Sequence, residues 1–378
     1  MYVDLNIPWP TSHLTSLLQT TASTGSRKGK QKANNTTSNT NGSSSKTNTL
    51  DIWKGVSREE REGLRETVEC AIRLGYSVVA FNLVIPQSLD PLQLQPHFPF
   101  PSDAPPFPDL DPRTVESDGS TKTVLQLSRL TMVMDEHVAG NAKGVFGFSK
   151  SQTSYLGRYS LLSAMPLDAA SFAHACLSLS APSPTGIDLI SFDLGASPKL
   201  PFIMPLSTVS NALKQGVLFE AIYSPTTSLN SFRSHSSSGL PVSASSSTCR
   251  RNLISVLKEI IRVTNCAHGL VVSSGATRWA ELRAPGDVIN LLNVLGISHE
   301  NGRKAMTTNP KMLVSRAMST RQTHKAVISN PVIVSSLSPA GASKRPLPPS
   351  DSLDPPVLVQ GFKYTDTSND KDLKRLKT

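Results

Sequence analysis

Apolar and polar positions along this chain alternate between two periods. Tyr2–Ile7 reads as a short strand. From Ser57 the period becomes helical, with Leu64, Val68, Ala71 and Ile72 on one face at i, i+4, i+7 and i+8. Ser57-Arg58-Glu59-Glu60 forms a capping box, because the serine accepts from the third helical N–H while Glu60 reaches back. Gly75 supplies a left-handed stop. Tyr76–Phe81 is apolar except for Ser77, as in a parallel strand covered on both faces.

The same alternation continues. Strands are predicted at Val124–Met134, Tyr159–Met165, Ile187–Phe192, Val217–Tyr223 and Leu270–Ser273. Helices are predicted at Asp168–Leu179, Pro205–Gln215 (closed by Gly216), Cys249–Val263 (capped by Thr248) and Pro285–Leu295, with one or two more between Ser298 and Met318. About seven strands separated by helices make either a doubly wound sheet or a closed barrel of the TIM type. No glycine-rich phosphate loop follows the first strand, which weakens the dinucleotide-binding version.

Four segments break the pattern: 24–50, 86–123, 226–248 and 335–378. Each is rich in Ser, Thr, Asn or Pro and holds too few large apolar groups to offset the entropy of ordering. The expectation is one domain over residues 1–330 with three disordered insertions, followed by a basic, Pro-rich disordered tail over 331–378. Hydrophobic residues make up 38% of the chain, low for a compact globule, and the 28 prolines fit the same picture.

Charge changes the picture more than composition does. The net charge is +10. Residues 249–330 hold twelve Lys/Arg against four acids, whereas residues 124–225 hold six of each sign. Such an excess fits the footprint of a polyanion, RNA or DNA; a solvated basic face with no partner is the plain alternative. The candidate phosphate-binding residues are Arg250, Arg251, Ser273, Ser274, Arg278, Arg283, Arg303, Lys304, Lys311, Arg316, Arg321 and Lys325. Arginine suits this work because its planar fork donates two parallel hydrogen bonds. Trp279 could stack on an exposed base or serve as core or interface. Ser273-Ser274-Gly275 reads as a tight turn or an anion contact. Arg129, inside an apolar strand, is expected to be paired within the fold or at its mouth.

Bond-breaking equipment is not evident. The four cysteines form no C-x-x-C pair and read as reduced, mostly buried thiols. There is no G-x-S-x-G elbow. The eight histidines never fall as His-x-His. Carboxylates and amides stand at strand ends (Asp4, Asn6, Asn82, Asp193) without an imidazole set beside them, although Mg²⁺ can bind through one or two carboxylates and water. No apolar run approaches the roughly 18 residues of a membrane span. MYVDLNIPW lacks the basic start of a secretory signal. Short basic clusters such as Lys344-Arg345-Pro346 resemble nuclear-import signals.

RLGYSVVAFN (Arg73–Asn82), LSRLTMVM (Leu127–Met134), KLPF (Lys199–Phe202), GVLFEAIYSP (Gly216–Pro225) and SSGATRWAELRAPGDVINLLNVLGI (Ser273–Ile297) occur in one order. In that order and character the chain resembles the 30-kDa protein subunit of eukaryotic nuclear ribonuclease P and ribonuclease MRP. The resemblance implies an irregular TIM-type barrel, similar to the metal-dependent phosphoesterase barrels of the polymerase-and-histidinol-phosphatase superfamily. It implies a non-catalytic subunit in a particle that removes 5′ leaders from precursor tRNA and processes precursor ribosomal RNA. The particle's RNA, with its bound Mg²⁺, would do the hydrolysis, and the protein itself would hold no cofactor. Implied partners are that RNA, precursor tRNA through the particle, a small α/β subunit and the other particle proteins, in the nucleus and nucleolus. The enzyme alternative is a metal-dependent phosphoesterase on a related barrel.

Overall fold

A computed structural model of the chain describes residues 1–11, 52–53, 55–87, 89, 98–101, 104–115, 122–135, 148, 150–192, 194–195, 197–224, 232–235, 241–244, 246–264, 267–324 and 328–329. Seven parallel strands form one sheet: β1 (Tyr2–Pro8), β2 (Tyr76–Pro86), β3 (Leu125–Met134), β4 (Leu161–Pro166), β5 (Leu189–Ser191), β6 (Leu218–Ile222) and β7 (Leu270–Ser273). Each pairs with its neighbour in chain order. The last strand returns to the first: the Gly275 amide donates to the Asn6 carbonyl at 2.9 Å, and the Ser274 amide donates to Asp4 Oδ1 at 3.0 Å. The sheet is therefore a nearly closed α/β barrel of the TIM type.

Helices separate most of the strands. They are α1 (Arg58–Arg73), α2 (Ala169–Leu177), α3 (Leu206–Lys214), α4 (Ser246–Val263), α5 (Pro285–Val294), α6 (His299–Met306) and α7 (Thr308–Gln322), with a single helical turn, Thr153–Leu156, between β3 and β4. The α1 capping box forms as its sequence requires, with Ser57 accepting from the Glu60 amide and Glu60 from the Ser57 amide. Such a cap stabilises a helix by about 1 kcal/mol. Its apolar stripe buries Leu64, Val68 and Ala71, and Gly75 follows at φ +91°. β2 runs beyond the predicted Phe81, to Pro86, because its partner β3 continues to pair with it through Val133. α4 begins at Ser246, so Arg250 and Arg251 lie one turn inside the helix rather than opening it.

Two predicted disordered insertions are partly built into the fold. Within 86–123, Phe98 is fully buried and Phe107 nearly so, and a 3₁₀ turn spans Pro108–Leu110. Trp9 packs edge-on against Phe81 and Phe98, and Phe107 against Phe81 and Trp53. Aromatic burial therefore orders a segment whose average composition is polar. Within 226–248, Phe232–His235 and Pro241–Ala244 pair as an antiparallel hairpin. The insertion 24–50 and the tail 331–378 lie outside the described residues.

Helix α7 closes the strand N-terminal end of the barrel. Its Leu313 and Ala317 pack with Val3, Leu5, Val78, Ala80, Leu127, Leu161, Leu189 and Val271. Its Asn309 side chain donates to the Leu270 carbonyl, at the first residue of β7. That underside layer is apolar. The next layer up the barrel is not.

Candidate functional site

Side chains of a strand point inward every second residue. One step above the apolar layer, the sequence changes character on six strands: Ala80 gives way to Asn82, Leu127 to Arg129, Leu161 to Ser163, Leu189 to Ser191, Leu218 to Glu220 and Val271 to Ser273. All six polar residues are buried, and Arg129 and Glu220 are completely so. Arg129 Nη1 lies 2.6 Å from Glu220 Oε1, and Nη2 lies 2.6 Å from Oε2, a bidentate pair. The same guanidinium donates to the Leu5 carbonyl, Ser163 Oγ, Ser191 Oγ and Thr131 Oγ1. Ser191 Oγ also donates to Glu220 Oε2 at 2.6 Å. A register shift between Asp4 and Ile7 brings Asn6 into the same network. There its amide reaches Glu220 at 3.4 Å and accepts from Asn82 at 2.9 Å.

Burial alone would raise the Glu220 pKa, but the charge and hydrogen bonds of Arg129 outweigh it and hold the carboxyl below its ordinary range. The expectation that Arg129 is paired within the fold is met. Its partner is the residue that sequence reasoning missed. The signal was present: Glu220 stands in VLFEAI as Arg129 stands in LSRLTM, and two opposite charges inside apolar strands point to each other.

Asp4 occupies the β7–β1 seam. Burial raises its pKa to about 6, although bonds from Ser274 and from the Asn6 amide pull the other way. Its Oδ2 has no hydrogen-bond partner. Tyr76 and Tyr223 lie nearby; the Tyr76 hydroxyl donates to the Arg283 carbonyl and the Tyr223 hydroxyl accepts from the Arg283 amide. These bonds pin the loop that follows β7. A 3₁₀ turn, Trp279–Glu281, then packs on α1, where the Cys70 thiol meets the Trp279 carbonyl.

The predicted cations do not share one face. Arg250 and Arg251 are exposed near the start of α4. Arg278 is exposed beside Trp279, itself 51% exposed and so neither core nor covered here. Arg283 is half-buried and donates to the carbonyls of Ala280 and Leu282. Arg303 and Lys304 are exposed on α6, Lys304 paired with Glu300 at 2.6 Å. Lys311 and Arg316 line one groove on the underside. Lys325 lies outside the described residues.

Three of the candidate residues lie inside the fold. Ser273 and Ser274 are buried, with Ser274 tied to Asp4 and Asn6 as turn structure, so neither faces solvent for an anion. The Arg321 side chain is 2% exposed and pairs with Asp188 while donating to the Ser160 and Gly186 carbonyls. Its charge is spent inside the fold. Among the described residues, no group of three or more His, Cys, Asp and Glu stands where it could hold a metal ion. Asp193 lies outside them.

Fold and site together define a class: a parallel α/β barrel whose polar interior is organised around an internal ion pair and whose exposed cations lie outside it. The chain belongs to the RNase P subunit p30 family, whose model matches residues 1–323. Mouse ribonuclease P protein subunit p30 is 25% identical over 280 residues, which cover 74% of this chain and 88% of the mouse protein. Protein GAMETOPHYTE DEFECTIVE 1 of Arabidopsis thaliana is 28% identical over 222 residues, 57% of this chain; the match spans only 33% of that protein's length. A chain in a cryo-EM structure of archaeal ribonuclease P with mature tRNA aligns over 73% of this chain and 95% of its own, at 14% identity and a TM-score of 0.43.

Proposed function

We propose that this chain is a non-catalytic, RNA-binding protein subunit of ribonuclease P, and of ribonuclease MRP, acting in the nucleus and nucleolus. The observation that carries the proposal is family membership across residues 1–323. The site supports it in two ways. The carboxylate at the centre of the barrel, Glu220, is already neutralised by Arg129. The exposed residues Arg250, Arg251, Arg278, Arg303 and Lys311 are free to meet phosphate.

In this reading the particle's RNA and its Mg²⁺ hydrolyse the phosphodiester in precursor tRNA or precursor ribosomal RNA. The protein braces RNA shape and contacts a small α/β subunit and other particle proteins. Recognition is through backbone charge and shape rather than base edges. With about six phosphate contacts, affinity falls roughly a thousandfold between 50 and 200 mM salt.

Purified full-length chain tests this with two assays. Binding to a precursor tRNA transcript is expected to weaken steeply with salt, with no cleavage in Mg²⁺. Chelator-sensitive hydrolysis of a generic phosphodiester by the protein alone would instead establish the phosphoesterase alternative.

A further inference from the structure

TIM-type barrels generally meet their ligands at the carboxyl ends of the strands. In this chain an arginine with no ion pair among the described residues lies at the opposite end. Helix α7 crosses the strand N-termini, and an open groove of about 790 Å³ runs along its outer side. Lys311, Arg316, Thr307, Thr308, Ser315 and Met312 line it.

Arg316 distinguishes this groove from an ordinary basic surface. Its side chain rests on Gly216, which has φ +83°; a Cβ there would stand 2.7 Å from Arg316 Nη1. The glycine thus serves as a flat seat as well as a left-handed turn. Nη1 is buried and has no hydrogen-bond partner. The nearby carboxylate, Asp188, is already engaged by Arg321 and by the Leu162 amide. Arg321, further along the same helix, is therefore neutralised, while Arg316 forms no ion pair among the described residues. Lys311 is exposed on the preceding stretch of α7. Between Asn301 and Ser329 the chain carries six Lys/Arg and no acid.

We infer that this underside groove is a docking cleft for an RNA sugar–phosphate backbone, with Arg316 as its seated anchor and Lys311 as its outer contact. The inference rests on the RNA-binding reading above and adds the face on which RNA is met. A half-desolvated guanidinium without an internal acid attracts phosphate more strongly than a freely hydrated one, because part of its water is already displaced. The hydroxyls of Thr308 and Ser315 suit further sugar and phosphate contacts. Arg250 and Arg251 give the comparison pair: they are exposed near the start of α4 and do not line this groove.

The experiment uses the full-length chain and a fluorescein-labelled RNA duplex of about two helical turns, titrated across salt. The double variant Lys311→Ala/Arg316→Ala is expected to lose about tenfold or more in affinity at moderate salt. The slope of log K against log salt should shrink by about 0.9 for each phosphate that the variant no longer neutralises. Arg250→Ala/Arg251→Ala should lose less. If Arg316→Ala lowers the melting temperature, Lys311→Glu at its exposed position replaces the double variant, and the same weakening and shallower slope are expected. A parent that binds while the underside variants match it in affinity and slope overturns the underside cleft and leaves the RNA-binding reading standing. A parent that fails to bind even at low salt overturns both.

Discussion

Replacing Arg129 with methionine keeps much of the length of the side chain and removes its charge from the barrel's centre. Six hydrogen bonds disappear, two of them to Glu220. Glu220 remains wholly buried, with hydrogen bonds from the Ser191 hydroxyl and the Asn6 amide but no charge to balance its own. Removing one partner of a buried pair costs about 3–5 kcal/mol, because it strands the other charge in low dielectric. For a domain of this size each kcal/mol lowers Tm by about 2–4 °C. Arg129→Met should therefore melt about 10 °C below the parent, and urea titration should report the same loss of stability. Removing both charges, as Arg129→Met/Glu220→Met, should be milder than the arginine variant alone, with a coupling of about 2 kcal/mol or more. A single variant within about 1 kcal/mol of the parent, or strictly additive losses, would refute the argument that this pair is the internal keystone of the barrel.

Asp4 gives a pH test. Its folded pKa is raised, from 3.8 to about 6, so the native state holds an extra proton between those values. This group's stabilising contribution is therefore present below pH 3.8 and is lost as pH rises to about 6. Asp4→Asn should consequently gain on the order of 3 kcal/mol over the parent at about pH 7, shrinking toward about pH 4; equal stability curves for the two proteins would contradict the assignment. The lowered pKa of Glu220 acts in the other sense and at lower pH, since its contribution is lost only as pH falls through that value. Gly275→Ala should destabilise by about 2 kcal/mol or more, because the residue sits at φ +62° and its Cβ would fall 2.2 Å from Ile222 Cγ2. Arg321→Ala should lower stability by about 3 kcal/mol through the stranded Asp188, whereas Arg278→Ala should leave Tm within about a degree or two and weaken RNA binding. Reversed outcomes in a thermal melt would exchange the structural and surface roles given to those two arginines.

Most of the barrel was legible because parallel strands covered on both faces must be apolar throughout, and helix caps declare themselves locally. Ser57–Glu60, Gly75, Gly216 and Pro285 each marked a boundary that the structure keeps. Segment 86–123 misled because a few aromatic residues, Phe98 and Phe107 above all, order it against Trp9 and Phe81 despite its polar average. The site was harder to read. Charge counting finds cations but not whether an acid distant in sequence has already claimed them. Arg321 and Arg316 look alike in the chain, yet Asp188 neutralises one and leaves the other. Ser273 and Ser274 sit at a strand end as anion contacts would, but closure of β7 onto β1 buries them. Arg129 and Glu220 stand far apart along the chain, and only barrel closure brings them together.

The most direct test isolates the full-length chain with whatever it assembles into and assays removal of the 5′ leader from precursor tRNA before and after nuclease destroys the associated RNA. The account predicts cleavage by the intact particle, none after nuclease treatment, and none by the purified chain. Leader removal that survives loss of the RNA, or that the protein performs alone, would contradict it.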